Sequence, residues 1–392
     1  MVKQMINILY IRPLSEKSYG AEEKDLDAGS KILESLPGVN VFKLNINIKT
    51  KNAIFDHQIN SQNSENQIWK KIRFYAKKMT YFDNALKEAY TFENYLLIER
   101  FCIEYNINII FTNTTCTLLY GTNNSLNLKH IHRSVLFEPI YVFKSVKGAL
   151  RATIHSMIKI FTVYAELNSD ILISISPRDK NYYLVCAKIF RRKKQITYLP
   201  LRQFYYDLNV SPLKSLHYPL KIGFLGSTYN VLHNRLSLEF IIKIFDLDFL
   251  KENSIVLNIY GRKIPCKGYN NSAVNIMNWV EDLNNIYEEN DCFVVPYFLN
   301  SGMQSKVFET LMAGRLLICD ERVLGKHNFV PGVHFLQAKT GKDFRNRLIW
   351  IKEHQSDAVK IAENGKQRAN TVIGKTFILE KSNKMLSEID IP

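Results

Sequence analysis

Two side chains close together in the second half of the chain have the right types for chemistry. They are Lys306 and Glu309, in SGMQSKVFETLMAG, residues 301–314. They follow an apolar run at 292–295, its stop at Pro296, and the polar turn Asn300-Ser301-Gly302. They precede Gly314 and a second apolar run at 316–319. A short apolar run between breakers reads as a buried parallel strand, and the segment between the two runs as a loop and a helix. Such a unit points backbone N–H groups and the positive end of a helix at whatever lies above the strand, so its natural guest is an anion. Lys306 adds positive charge there, and Glu309 accepts hydrogen bonds from hydroxyls. Phosphate together with sugar hydroxyls describes a nucleotide-sugar.

The elements that position this pair alternate along the chain. In the first half, strands are expected at 6–11, 39–44, 107–112, 135–143, 170–176 and 197–199. Helices are expected at 22–35 and across most of 68–105, with a polar loop at 50–67. Residues 200–219 form a linker. The second half opens with KIGFLG (221–226), a strand ending in glycine. A helix at 236–245 follows, then strands at 255–260 and 274–277 and a helix near 282–289. After the two runs around Lys306 come helices at 342–354, 357–370 and 377–389. Strands alternating with helices predict parallel sheets covered on both faces, with ligands outside the carboxyl ends of the strands.

The bulk properties fit such an architecture. A chain of 392 residues has length for two or three domains. Its 46% hydrophobic and 23% charged residues are ordinary for a globular protein. No apolar run approaches the length of a membrane span, and the first residues read as a strand rather than a signal peptide. Cys102, Cys116, Cys186, Cys266, Cys292 and Cys319 are far apart with no C-x-x-C pair, which points to free thiols in a reducing cytoplasm.

The net charge of +15 asks for an anionic partner. Residues 142–161 mix Lys144, Lys147, Arg151 and Lys159 with apolar residues at helical spacing, and Arg191 to Lys194 form a second basic cluster. A basic amphipathic helix of this kind lies on an anionic membrane surface, or else packs its apolar side on the core and leaves a solvated basic face. No nucleic-acid-binding signature is present, so nucleic acid is not an expected partner.

In their order, the segments of the second half resemble the donor-binding domain of the GT-B glycosyltransferases, especially the large retaining family four. The resemblance rests on IGFLGS (222–227), Asn234-Arg235, IYGR (259–262), WVEDLNNIYEENDCFVVP (279–296), SGMQSKVFETLMAGRLLICD (301–320) and PGVHFLQA (331–338). The first half is more loosely similar to the family's acceptor domain, through a βα turn at Gly20 and AELNSDILISISPRDKNYY (165–183). The implied fold is α/β with GT-B architecture: two Rossmann-like doubly wound parallel-sheet domains facing each other across a cleft. The acceptor-side domain is expected at 1–205 and the donor-binding domain at 206–375. A final helix at 376–392 is expected to pack back on the first.

The resemblance also assigns roles. Family members hold two glutamates separated by seven residues, and the second binds the ribose hydroxyls. Glu309 stands at the second position. Ser301 stands at the first, where the family glutamate helps to orient the transferred sugar, so the choice of donor turns on Ser301. Ser301, Gly302 and Met303 offer backbone N–H groups to the diphosphate. Gly20 and Gly226 shape the donor cleft. Arg235 and Lys306 are the expected cations at the diphosphate, with Arg262 and Lys263 as alternatives. Val280, Glu281 and Leu283 fall in the segment that lines the base. His132 and Glu138 are candidate catalytic residues on the acceptor side, beside Ser301.

The implied activity is transfer of a sugar from a nucleotide-sugar to a glycan or lipid-linked acceptor, with retention, without a cofactor and without a metal. Surface polysaccharide or glycolipid synthesis of the bacterial type is the implied setting, in the cytoplasm or on the inner face of the membrane. The sequences Asp25-Leu26-Asp27 and Asp246-Leu247-Asp248 read as solvated helix faces rather than metal ligands. Two alternatives stay open. One is a nucleotide-sugar epimerase of the same fold, for which no convincing carboxylate set is found. The other is a catalytically silent module that binds a glycan or a protein, which the replacement at Ser301 keeps in play.

Overall fold

Alternation of apolar runs with amphipathic segments becomes, in the computed structural model, two separate sheets. The structure describes residues 5–390 apart from 15–20, 48–49, 52, 56–69, 72–73, 76–77, 80–89, 123–124, 135–136, 201–207, 266–271 and 299–303. It divides into two compact units, Met1–Tyr205 with Ile378–Pro392, and Tyr206–Phe377.

The first unit is built on seven strands: β1 (Ile6–Leu14), β2 (Val39–Asn47), β3 (Ala53–Phe55), β4 (Ile109–Asn113), β5 (Lys129–Ser134), β6 (Ile171–Ser174) and β7 (Gln195–Tyr198). Their order across the sheet is β3-β2-β1-β4-β5-β6-β7. Every pairing is parallel except that of the short edge strand β3 with β2. β4 is buried at every residue, as a central parallel strand must be. Helices Phe92–Glu104, Ala149–Glu166 and Pro177–Ile189 cover the sheet. The first starts where Thr91 accepts from the Asn94 N–H, and the third where Ser176 accepts from the Asp179 N–H with Pro177 next to the cap.

The strand expected at 135–143 is a correction. The strand is Lys129–Ser134, and Glu138–Ser145 is a helix with Pro139 in its first turn. KHIHRS is too polar to read as a buried strand, yet His130, His132, Arg133 and Ser134 are all buried. The apolar residues after Pro139 belong to the helix. The basic segment at 142–161 is likewise two pieces, Glu138–Ser145 and Ala149–Glu166, parted at Gly148 with φ +90°. Most of the expected loop at 50–67 lies outside the described residues.

The second unit carries β8 (Leu220–Thr228), β9 (Ile255–Arg262), β10 (Val274–Asn278), β11 (Cys292–Val295), β12 (Leu316–Cys319) and β13 (Leu336–Gln337), all parallel. Their order is β10-β9-β8-β11-β12-β13. The chain runs outward from β8 to β10, then crosses to place β11 on the other side of β8. That reversal makes a topological switch point between β8 and β11, the place where open sheets of this kind bind ligands.

The core beneath joins Ile222, Phe224, Leu257, Ile259, Val294 and Ile318 of the strands to Leu238, Ile241, Leu348 and Ile351 of helices Leu232–Ile244 and Gly341–Glu353. Each such side chain contributes about 1.5–3 kcal/mol of transfer free energy on burial. The two-residue strand β13 has no signal in the sequence beyond PGVHFLQA. The final helix is Lys375–Ser387. From Ile378 onward it counts with the first unit, where Lys381 Nζ donates to the Tyr198 carbonyl at 3.2 Å.

Candidate functional site

The switch point of the second unit is formed by two strand ends and the helices they feed. β8 leads into helix Leu232–Ile244 and β11 into helix Ser305–Met312. Among the described residues neither helix has a side-chain cap bond from its N-cap residue, Val231 in one and Gln304 in the other. Both helices turn a positive dipole end toward the switch point.

Lys306 links the two. Its Nζ donates to the Leu225 carbonyl at 3.1 Å and lies 3.5 Å from Asn234 Oδ1, over the Phe224 ring with Nζ 5.5 Å from the centroid. Asn234 in turn donates to the Thr228 carbonyl at 3.0 Å. Burial pushes the Lys306 ammonium down to about 8, against an opposing pull from Glu309. Burial, and then the Lys306 charge, push the neighbouring His233 down to about 4. A cation desolvated in this way regains favourable electrostatics when an anion arrives.

Glu309 lies three residues further along the same helix, on the same face. It is 5% exposed, and its Oε2 accepts from the Tyr287 hydroxyl at 3.2 Å. Tyr287 is itself fixed at both ends. Its ring sits 4.9 Å from that of Phe293, and its carbonyl accepts from Arg315 Nε at 2.6 Å. Arg315 is buried and also holds the Ser211 carbonyl at 2.8 Å and Glu288 at 3.1 Å. The carboxylate is thus positioned by a chain of contacts that begins in the segment before β8.

Gly226 lies near the end of β8, against the end of β9. A Cβ on Gly261 would stand 2.0 Å from the Gly226 carbonyl oxygen, and Gly261 has φ +137°. The Tyr229 ring closes over both glycines and its hydroxyl donates to the Tyr260 carbonyl at 2.9 Å. Glycine is therefore required here for close approach and for backbone conformation together.

The other expected cations take different positions. Arg262 stacks over Trp279 with its guanidinium carbon 4.1 Å from the ring centroid. Arg235 stands on the exposed side of its helix, 3.8 Å from Glu239 one turn on. Lys263 is exposed. Of these cations, Lys306 is the one drawn onto the strand ends. Asp246 accepts from the Phe249 N–H as a helix cap and pairs with Arg345. Gly20, Ser301, Gly302 and Met303 lie outside the described residues.

In the first unit, His132 sits on β5 and is wholly buried. Its Nδ1 lies 2.8 Å from Thr112 Oγ1, which is 2.7 Å from His130 Nε2. Its Nε2 faces Glu166 Oε1 at 3.4 Å. Burial pushes the His132 imidazole down to about 3 and His130 well below its usual range. A neutral His132 with its proton on Nε2, facing the carboxylate, fits this chain of contacts. The Tyr183 hydroxyl donates to Glu166 Oε2 at 2.7 Å. His132 is therefore an interior link between strand and helix, not a base at a surface. Glu138 opens its helix half-buried, accepting from Thr115 Oγ1 and paired with Lys159 at 2.8 Å.

Sequence reasoning passed over Asn234 as a ligand of Lys306, and over Tyr287 and Arg315 as the support of Glu309. Asn234 was flagged only by its place at a helix start. No periodicity marks Tyr287 or Arg315, whose roles come from contacts across the fold.

Comparison with known proteins bears on the fold that carries these residues. Residues 244–372 match the family model described as glycosyl transferase-like. No curated protein matches. Among solved structures, sucrose-phosphate synthase from Thermosynechococcus elongatus aligns with a TM-score of 0.64 at 13% identity, over 98% of this chain and 99% of that one. Anabaena HepE in complex with UDP aligns with a TM-score of 0.64 at 11% identity, over 98% and 100%. A glycosyltransferase from Rickettsia africae aligns with a TM-score of 0.63 at 14% identity, over 98% and 99%. The chain has the GT-B fold, and the resemblance read from its second half is borne out in family model and fold alike.

Proposed function

We propose that this chain is a glycosyltransferase whose second unit holds a nucleoside-diphosphate sugar and whose first unit receives a glycan or lipid-linked acceptor. The observation that carries the reading is the meeting of Lys306, Asn234 and two helix N-termini without side-chain caps at the β8–β11 switch point, with Glu309 beside them. Lys306 and the helix ends meet the diphosphate, and Glu309 meets the ribose hydroxyls. As the bond to the sugar breaks, negative charge grows on the leaving diphosphate. Preorganised cations and dipoles that stabilise such charge are worth about a hundredfold to a thousandfold in rate for each group removed.

In this reading the departing charge is met by Lys306 and helix dipoles, so no metal is required, and the sugar is transferred with retention. The likeness to structures solved with UDP and with UDP-glucose supports a uridine nucleotide as the first probe. The setting is synthesis of a surface polysaccharide or glycolipid, in the cytoplasm at the inner face of a membrane.

The test is calorimetry with UDP, followed by a screen of nucleotide-sugars for release of nucleoside diphosphate with and without EDTA. Binding of UDP that Glu309→Ala removes, with EDTA-insensitive turnover of one donor, is expected. Binding without turnover of any donor would count against the transferase, and absence of binding to any nucleotide would favour the silent glycan- or protein-binding module in its place.

A further inference from the structure

We propose that one face of the first unit docks on an anionic lipid bilayer, with an apolar stripe of helix Ala149–Glu166 entering the headgroup layer between basic side chains. Leu150, Ile154, Met157, Phe161 and Tyr164 are all exposed on this helix, Leu150 at 76% and Met157 at 60%. Their spacing of four, three, four and three residues places them within an arc of about 80° at 100° per residue. The opposite side of the helix is buried through Ala152, Val163 and Glu166. The side turned to solvent therefore carries an apolar row where a polar one is the rule. A contiguous exposed apolar surface with a polar rim marks a place where another body sits.

Helix Pro177–Ile189 extends the patch with exposed Val185 and Ile189, one turn apart. Tyr164 joins the two helices. Its ring packs edge-on to Phe190 at 5.3 Å, and the Arg192 guanidinium lies over it at 4.8 Å and donates to its hydroxyl.

Charge selects the occupant. Residues 147–165 and 180–194 together hold nine Lys and Arg and no Asp or Glu. Lys147, Arg151, Lys188, Arg191 and Lys193 are exposed around the stripe. A second copy of this chain would bring like charges together on such a face. An anionic bilayer satisfies both features, because phosphates meet the basic rim while the apolar row enters the acyl boundary. Among the described residues no helix is long and apolar enough to cross a membrane, so the mode is lying on the surface.

The inference deepens the lipid-linked acceptor of the proposed function and rests on that reading for its purpose. It is tested without turnover, so a failed vesicle assay and a failed donor assay remain separate results. The full chain is sedimented with vesicles of equal parts phosphatidylcholine and phosphatidylglycerol, and with phosphatidylcholine alone. The comparison variant is Ile154→Ser/Met157→Ser/Phe161→Ser, confined to exposed positions, with circular dichroism as the fold control and UDP calorimetry as a control on the other unit.

Wild type should pellet with the anionic vesicles and not with the neutral ones, and the triple variant should bind at least tenfold more weakly with its fold intact. If the triple variant fails to fold, Leu150→Ser/Val185→Ser takes its place. Three results would overturn the proposal: no binding to anionic vesicles at low salt; equal binding by a folded variant, which would reduce the contact to adsorbed charge; or a wild-type dimer that the variant converts to monomer, which would make the face a homotypic interface.

Discussion

The Tyr287 hydroxyl donates to Glu309 Oε2 at 3.2 Å inside the second unit, and both residues are buried. This bond sets the direction of the carboxylate proposed to meet the ribose. In Tyr287→Phe the ring keeps its packing on Phe293 while the donor is lost. UDP affinity should fall by about tenfold, the value of one hydrogen bond to a charged group. Glu309→Gln removes the charge and should weaken UDP further than Tyr287→Phe does. Calorimetry on the three proteins checks the ranking, and unchanged affinity in Tyr287→Phe would remove Tyr287 from the support of the site.

Lys306 makes nucleotide binding depend on pH. With its ammonium pushed down to about 8 by burial, the empty site is half-protonated near that pH. A bound diphosphate favours the charged form and raises the value again, so binding takes up a proton. UDP affinity should be level below about pH 7 and fall above about pH 8, approaching tenfold per pH unit for a single coupled proton. Calorimetry in two buffers of different ionisation enthalpy, near pH 8, should register the uptake. Lys306→Met should bind weakly with the pH dependence gone. A steep dependence surviving in that variant would assign the proton to another group.

Much of the fold was legible because the strands of the second unit are apolar runs between breakers, and period and punctuation suffice to mark them. CFVV and LLIC are read correctly on that ground alone. KHIHRS was not, because its buried polar residues meet Thr112 of β4 and Glu166 of a covering helix, and no local pattern records a partner 20 or more residues away. The site divides in the same way. Lys306 and Glu309 were visible through their spacing after a strand and a turn. Tyr287 and Arg315 act through tertiary contacts alone. Arg235 and Arg262 were named for their type, but side-chain direction, which sequence does not carry, turns one to Glu239 and the other onto Trp279.

Gly261 should be among the least tolerant positions of the second unit. Its φ of +137° is strained for an L side chain, and an added Cβ would sit 2.0 Å from the Gly226 carbonyl oxygen. Gly261→Ala should cost at least about 3 kcal/mol, lowering the melting temperature by roughly 6–12 °C for a unit of this size. Gly332 offers the contrast. It has φ +75° but nothing within 4 Å of its Cβ position, so Gly332→Ala meets only the backbone penalty. That variant should lose about 1 kcal/mol. Differential scanning calorimetry distinguishes the two, and equal losses would mean that β8 and β9 can move apart at no cost.

The histidines of β5 should make the first unit acid-sensitive. His132 is pushed down to about 3, and His130 also lies well below its ordinary range of 6.5, both chiefly by burial. The unfolded chain binds a proton at each site below about pH 6.5 while the folded chain does not, so stability is complete above that pH and declines as pH falls toward 3. The limiting slope is about 1.4 kcal/mol per pH unit for each histidine, or roughly 2 kcal/mol for His132 at pH 5. Glu138, Glu166 and Asp170 face this pair as acids, and Arg133 and Lys194 as cations. Urea unfolding of wild type and His132→Asn between about pH 7 and about pH 5 isolates the effect. Whatever its absolute stability, the variant should lose the slope of one proton, because asparagine cannot titrate. Parallel pH profiles for the two proteins would mean that protonated His132 is accommodated in the fold, against the burial that places it between β5 and helix Ala149–Glu166.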